Sequence, residues 1–269
     1  MGGEWDDGAG ERIAQPGWYD ACGPQGARAV VLLHGSTLTR ASWKPQTAAL
    51  QDTYRLIVPD LPGHGALAGQ PFRMDTAVEM VREAIERECG PMGSATLVGI
   101  SLGGHIATLA AARFPRKVDG LVISGATMNF TGLTGAWTAL VGRLMGRMNE
   151  DKMRAQAEKN IRKKWPAGAA EEIIAAGVYP MGAFQSFGEL TGIDFRAALR
   201  QVEAPVLILN GGHDRANRRG EKAFCEAAKN ARCGVIRGAG HACSIEQPDQ
   251  YNTELRAFLD TLARVPAAK

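Results

Sequence analysis

Nowhere in its 269 residues does the chain contain the roughly 18 consecutive apolar residues that a membrane span requires. The stretch at 1–15, MGGEWDDGAGERIAQ, is polar and acidic and holds nothing like the apolar core of a secretory signal. A cytoplasmic protein without a membrane partner is therefore expected. Cysteine is sparse and unpatterned: Cys22, Cys89, Cys225, Cys233 and Cys243 are odd in number, widely spaced and free of any CxxC pair. That argues against zinc-ribbon and dithiol chemistry, and the expectation is free thiols in a reducing compartment. No histidine pair has His-x-x-x-His spacing, so no metal is expected. A basic block is missing too. The 31 Lys and Arg against 28 Asp and Glu leave a formal charge of +3 spread along the chain, which gives no reason to expect nucleic acid as a partner.

What the chain does have is an ordinary globular balance, 45% hydrophobic and 22% charged, in a length that one large domain or two small ones would fill. Short apolar runs bounded by glycine, proline or charge recur: AVVLLHG (29–35), YRLIVPD (54–60), SATLVGIS (94–101), VDGLVISG (118–125), APVLILNGG (204–212) and CGVIRGAG (233–240). Continuous runs of that length suit strands buried on both faces. Between two of them, MDTAVEMVREAIERE (74–88) repeats apolar residues at helical spacing through Val78, Val81 and Ile85. Alternating strands and helices predict a mostly parallel sheet with helices on both sides, an α/β fold.

The rhythm breaks from Thr127 to about Glu203, where no strand signal occurs. The segment 137–165 reads as one or two amphipathic helices and PMGAFQSFGEL (180–190) as a loop rich in glycine and phenylalanine. The expected division is a core of 1–126 and 204–269 with a helical lid, 127–203, over the carboxyl edge of the sheet, where open α/β sheets bind ligands.

VGISLGGHIA (98–107) places Ser101 between Gly99 and Gly103, where a strand-like run hands over to a helical one. A turn that sharp needs small neighbours, and it would hold the hydroxyl out for chemistry. A serine needs an adjacent base, itself oriented by an acid. Of the five histidines, His241 follows the last strand-like run and precedes the final helix, at the edge that should carry Ser101. Asp214 lies just past PVLIL, again at a carboxyl end, and Asp60 after YRLIVP is the alternative acid.

LLHGS, VPDLPGHG, GISLGG, LNGGHD and GAGHACSIEQP, in that order between Trp18 and Leu262, resemble the motifs of the α/β-hydrolase superfamily. The resemblance implies Ser101 as nucleophile, His241 as base and Asp214 as the acid that holds the imidazolium. It also implies an oxyanion hole from the backbone N–H groups of Ser36 and Leu102. A serine at 101 argues against the aspartate-nucleophile branches, the dehalogenases and epoxide hydrolases. The first strand of the family's sheet is poorly defined in this sequence.

The remaining histidines read as structural: His34 and His64 bracing their loops, His105 packing, His213 facing solvent. Cys243 reads as a small buried hydrophobe. The basic residues Arg143, Arg147, Lys152, Arg154, Lys159, Arg162, Lys163 and Lys164 read as the wet face of the lid, with an inward arginine as the alternative. Apolar lid residues (Leu133, Trp137, Leu140, Leu144, Met145, Phe184, Phe187) suggest an apolar acyl or alcohol group, and Trp137, Phe184 and Phe187 are the candidate substrate contacts. The expected activity is hydrolysis of small to medium carboxylic esters through an acyl-enzyme, with no cofactor and a small-molecule substrate as the expected partner. Carbon–carbon bond hydrolysis, lactone hydrolysis and perhydrolysis are alternatives within the fold. A non-catalytic receptor on the same scaffold is the alternative outside enzymology, because fold does not determine function.

Overall fold

The computed structural model describes residues 17–145 and 148–263. Among the described residues, seven strands form one sheet: β1 (Tyr19–Cys22), β2 (Ala29–Leu33), β3 (Arg55–Pro59), β4 (Ala95–Ile100), β5 (Val118–Ser124), β6 (Val206–Gly211) and β7 (Ala231–Ile236). Their spatial order is β1-β3-β2-β4-β5-β6-β7, with β1 antiparallel to β3 and the other pairs parallel. The chain steps from β2 to β3 on one side and then crosses back to place β4 on the other side of β2. This reversal leaves a crevice beyond the carboxyl ends of β2 and β4, the usual ligand position in such sheets. The antiparallel edge strand β1 is the one the sequence left undefined.

Helices α1 (Lys44–Leu50), α2 (Met74–Cys89) and α3 (Leu102–Arg113) link the early strands. Between β5 and β6 run α4 (Gly132–Met145), α5 (Glu150–Lys164), α6 (Ala167–Ala175), α7 (Pro180–Leu190) and α8 (Phe195–Leu199). The chain closes with α9 (Arg215–Ala227), α10 (Cys243–Glu246) and α11 (Pro248–Ala263). None of the described helices is long and apolar enough to cross a membrane.

The continuous apolar runs are explained by burial on both faces of the sheet. Val31, Leu33, Leu97, Ile123 and Ile208 enter one core cluster with Ile106 of α3 and Phe224 of α9. Their neighbours Val30, Leu32, Val98, Val122 and Leu207 enter the other with Leu50 of α1 and Leu255 of α11. The period-2 alternation thus separates two cores instead of core from solvent.

Two expectations are corrected. The segment 180–190 is a helix, α7, and not a loop. Pro180 starts it with a preset φ, and its small residues Gly182, Ala183 and Ser186 are buried. A Cβ on Gly182 would stand 2.5 Å from His64 Cε1, so the glycine lets the helix settle directly on the His64 loop. Nor are all the thiols free: Cys225 of α9 and Cys233 of β7 form a disulfide with Cα atoms 6.4 Å apart. They stand eight positions apart in sequence, and the reversal from α9 into β7 brings them side by side. Cys22, Cys89 and Cys243 are free.

Among the described residues between β5 and β6, the regular elements are the helices α4 to α8. The segment meets the loop following β2 where Tyr179 N donates to Thr37 O at 2.9 Å. Helix α4 packs with its small side inward. Gly135, Thr138 and Gly142 are buried, whereas Leu133, Trp137, Leu140 and Leu144 are exposed. At the far end of the segment, Phe195 and Leu199 of α8 are fully buried in the same core cluster as α3.

Candidate active site

Ser101 sits between β4 and α3 with φ +53° and ψ −118°, and with Thr37 it is one of two non-glycine residues of positive φ among those described. Holding a side chain there costs on the order of 1–3 kcal/mol. The surroundings enforce it. A Cβ on Gly99 would meet Gly103 O at 2.2 Å, and one on Gly103 would meet Leu33 O at 2.1 Å. Helix α3 can therefore start hard against β2 and β4 only with glycine at both positions. Ser101 N donates to Ser124 O at 2.8 Å, which ties the turn to β5.

The three sequence-predicted residues meet. His241 Nε2 lies 3.0 Å from Ser101 Oγ, and His241 Nδ1 lies 2.8 Å from Asp214 Oδ2. A carboxylate only accepts, so Nδ1 carries the proton, and the Nε2 lone pair of the neutral ring faces the serine hydroxyl. Burial pushes the Asp214 carboxyl up, but the hydrogen bond and charge of His241, with two hydrogen bonds from Asn217, outweigh it and leave the carboxyl below its ordinary value. Asp214 is 7% exposed and His241 53%, so the acid is sheltered and the imidazole faces the crevice. Gly125, just past β5, has φ +57°, and a Cβ there would stand 2.9 Å from His241 Cε1. The missing side chain leaves the ring its place.

Ser36 is half-buried in the loop after β2, and a Cβ on the adjacent Gly35 would lie 3.5 Å from Ser101 Cβ. That loop and the first residue of α3, Leu102, flank the serine. Backbone N–H groups at a helix start have no intrahelical partner and point along the positive end of the helix dipole.

Asp60, the alternative acid, is committed elsewhere. It accepts from Arg40 N and Ala66 N, both at 2.9 Å, and faces Arg40 Nε at 3.4 Å. His34 braces the same region: Leu61 N donates to its Nε2 at 3.0 Å. His64 Nδ1 donates to Pro62 O at 2.9 Å, while its buried Nε2 has no partner among the described residues. His105 packs between Phe130 and Phe195, and its Nδ1 likewise has no partner among them. Burial holds these rings neutral, His34 down to about 4 and His64 and His105 down to about 3. His213 is exposed, and Cys243 is fully buried with its thiol pushed up to about 12 by burial.

Of the candidate substrate contacts, Trp137 is 66% exposed on α4, Phe184 is half-buried on α7, and Phe187 packs against the core. Arg147 lies outside the described residues, as do the side chains of Arg143 and Met145. Lys152, Lys159, Arg162, Lys163 and Lys164 are exposed, and Arg162 pairs with Glu158 and Glu171. Asn217 is the site residue the sequence reading missed. Its Nδ2 donates to Asp214 Oδ2 at 2.8 Å, and the only signal for it was a polar residue three positions past the acid.

The profile of the Alpha/beta hydrolase family matches residues 30–254. The pimeloyl-[acyl-carrier protein] methyl ester esterase of Edwardsiella ictaluri is 27% identical, the match covering 90% of this chain and 97% of that protein. The 3-oxoadipate enol-lactonase 2 of Acinetobacter baylyi is 25% identical over 87% of this chain and 90% of its own length. The structure of MenH from S. aureus has the same fold, with a TM-score of 0.79 at 18% identity, covering 92% of this chain and all (100%) of that one. The profile spans the elbow, the acid loop and the histidine loop together, and the chain belongs to the alpha/beta hydrolase family of enzymes.

Proposed function

We propose that the protein is a serine hydrolase that cleaves small to medium carboxylic esters through an acyl-enzyme. The observation that carries this reading is the unbroken hydrogen-bond chain from Ser101 Oγ through His241 to Asp214, at 3.0 and 2.8 Å. Ser101 Oγ attacks the ester carbonyl while His241 Nε2 takes the hydroxyl proton. Asp214 stabilises the imidazolium that forms. The tetrahedral oxyanion is met by the N–H groups of Ser36 and Leu102, each such donor being worth about 3 kcal/mol of barrier. As the intermediate collapses, the C–O bond to the alcohol breaks and the leaving oxygen takes the proton from Nε2. A water then attacks the acyl-serine, giving its proton to Nε2. The second collapse returns that proton to Ser101 Oγ and releases the carboxylic acid.

The same steps open a lactone, in which the leaving alcohol stays joined to the acyl group. The likeness to an enol-lactonase favours testing that substrate class beside simple esters. The helical segment 127–203 is the proposed cap, and its part is substrate choice: Trp137 and Phe184 are its candidate contacts with the acyl group. Ser101→Ala, assayed on p-nitrophenyl esters of graded acyl length and on lactones, tests the reading. Loss of turnover with the fold intact is expected, and wild-type kcat in the variant would refute the serine mechanism.

A further inference from the structure

We propose that Asn217 is a positioning residue for Asp214, and that the first turn of α9 and the root of the cap at Thr127 together set the direction of the catalytic carboxylate. The inference rests on the Ser101–His241–Asp214 reading given above. Asn217 is 3% exposed. Its Oδ1 accepts from Thr127 N at 2.8 Å, and a backbone N–H can only donate. The amide oxygen must therefore face Thr127, which turns the amide NH2 toward Asp214. A flipped amide would set NH2 against N–H on one side and a carbonyl oxygen against the carboxylate on the other.

The NH2 group donates to Asp214 Oδ2 at 2.8 Å, the same oxygen that accepts from His241 Nδ1. Asn217 N reaches the other carboxylate oxygen, Oδ1, at 3.3 Å. One residue thus holds both oxygens. The torsion of an aspartate carboxylate is broad, and without such contacts it samples orientations that do not point at the imidazole.

Thr127 is itself fixed. Its hydroxyl donates to Asn217 O at 2.7 Å and lies 3.3 Å from Asn210 Nδ2, while Asn210 Oδ1 accepts from Gly125 N at 3.0 Å. A Cβ on Gly220 of α9 would stand 1.8 Å from Thr127 O, so helix and loop are in direct contact. Gly125 packs on His241 and Thr127 orients Asn217. The short stretch leaving β5 for the cap therefore bears on base and acid at once.

The test is a double-mutant cycle on p-nitrophenyl acetate, with Asn217→Ala and Asn217→Leu each made alone and in the Asp214→Asn background. Alone, each change lowers kcat on the order of 10- to 100-fold with KM within about twofold, the cost of misdirecting a catalytic group. In the Asp214→Asn background the same change costs less than about twofold, because Asn217 acts through the carboxylate; its Nδ2 also lies 3.4 Å from His241 Nδ1, but that nitrogen carries the proton and cannot accept. Equal losses in both backgrounds, or wild-type kcat in a folded variant, overturn the proposal. The two substitutions differ in the volume they leave, so a folding failure of one leaves the other to decide. Asp214→Asn alone reports on the underlying reading: if it retains wild-type kcat, that reading falls and this proposal with it. If it is crippled while the Asn217 variants are not, only this proposal falls.

Discussion

Three buried neutral histidines make the fold acid-sensitive well above the range where carboxylates titrate. His34, held down to about 4, and His64 and His105, held down to about 3, stay neutral in the folded chain, whereas an unfolded histidine titrates near 6.5. Between these values the unfolded state binds more protons, so stability is complete above about pH 7 and falls as the pH drops below 6.5. At pH 5 each ring costs about 1.5 pH units at 1.36 kcal/mol per unit, or about 2 kcal/mol, and the three together about 6 kcal/mol. A domain's whole stability is about 5–15 kcal/mol, so a loss of about 6 kcal/mol is a large share of it, and a chain at the low end of that range would reach its acid midpoint near pH 5. The buried Nε2 of His64 and Nδ1 of His105 have no partner among the described residues, so none of these accepts a bond that would offset their protonation. Urea unfolding followed by circular dichroism at pH 8, 6 and 5 gives the loss directly. His105→Gln should remove about a third of it. A stability flat from pH 8 to 5, or the full pH dependence in His105→Gln, would refute the reasoning.

Asp214→Asn should lower kcat by about 10³- to 10⁴-fold by favouring the wrong imidazole tautomer. Asp60→Asn should instead lower the thermal midpoint, since its carboxylate serves Arg40 and Ala66; the reverse pattern in paired kinetics and calorimetry would reassign the acid. Trp137→Ala should change stability by no more than about 0.5 kcal/mol, because the side chain is 66% exposed. Its kcat/KM should shift unequally for short and long acyl esters, by about 1–3 kcal/mol at most per methylene, and a uniform change across the series would count against a shape-selecting cap. Gly103→Ala drives a Cβ to 2.1 Å from Leu33 O, so it should cost several kcal/mol and abolish the elbow's activity; a wild-type melting curve would contradict that contact.

Strands were legible where burial on both faces demanded unbroken apolar runs, as in AVVLL of β2 and ATLVGI of β4. The edge strand β7 is half-exposed, with a mixed pattern, and begins at Ala231, two residues before the apolar run that marked it. The residues of α7 read as a loop because glycine is a poor intrinsic helix former. What holds the helix is tertiary packing: on α4, on the start of α2, where Met74 N donates to Glu189 Oε2 at 2.9 Å, and on His64, a residue 118 positions before Gly182. The disulfide was invisible because spacing alone says nothing about a helix-to-strand reversal. Ser101, Asp214 and His241 were legible because each follows a strand at its carboxyl end. Asn217 was not, since a polar residue in the first turn of a helix looks the same whether it turns to solvent or inward to Thr127.

The central claim is that Ser101, activated by His241, forms a covalent acyl intermediate. Incubation with an alkyl fluorophosphonate followed by peptide mass spectrometry tests it most directly. One phosphonyl group on Ser101, with labelling lost in Ser101→Ala and strongly slowed in His241→Ala, is the expected result. Stoichiometric labelling of another residue, or ester turnover that persists while Ser101 is blocked, would contradict the account.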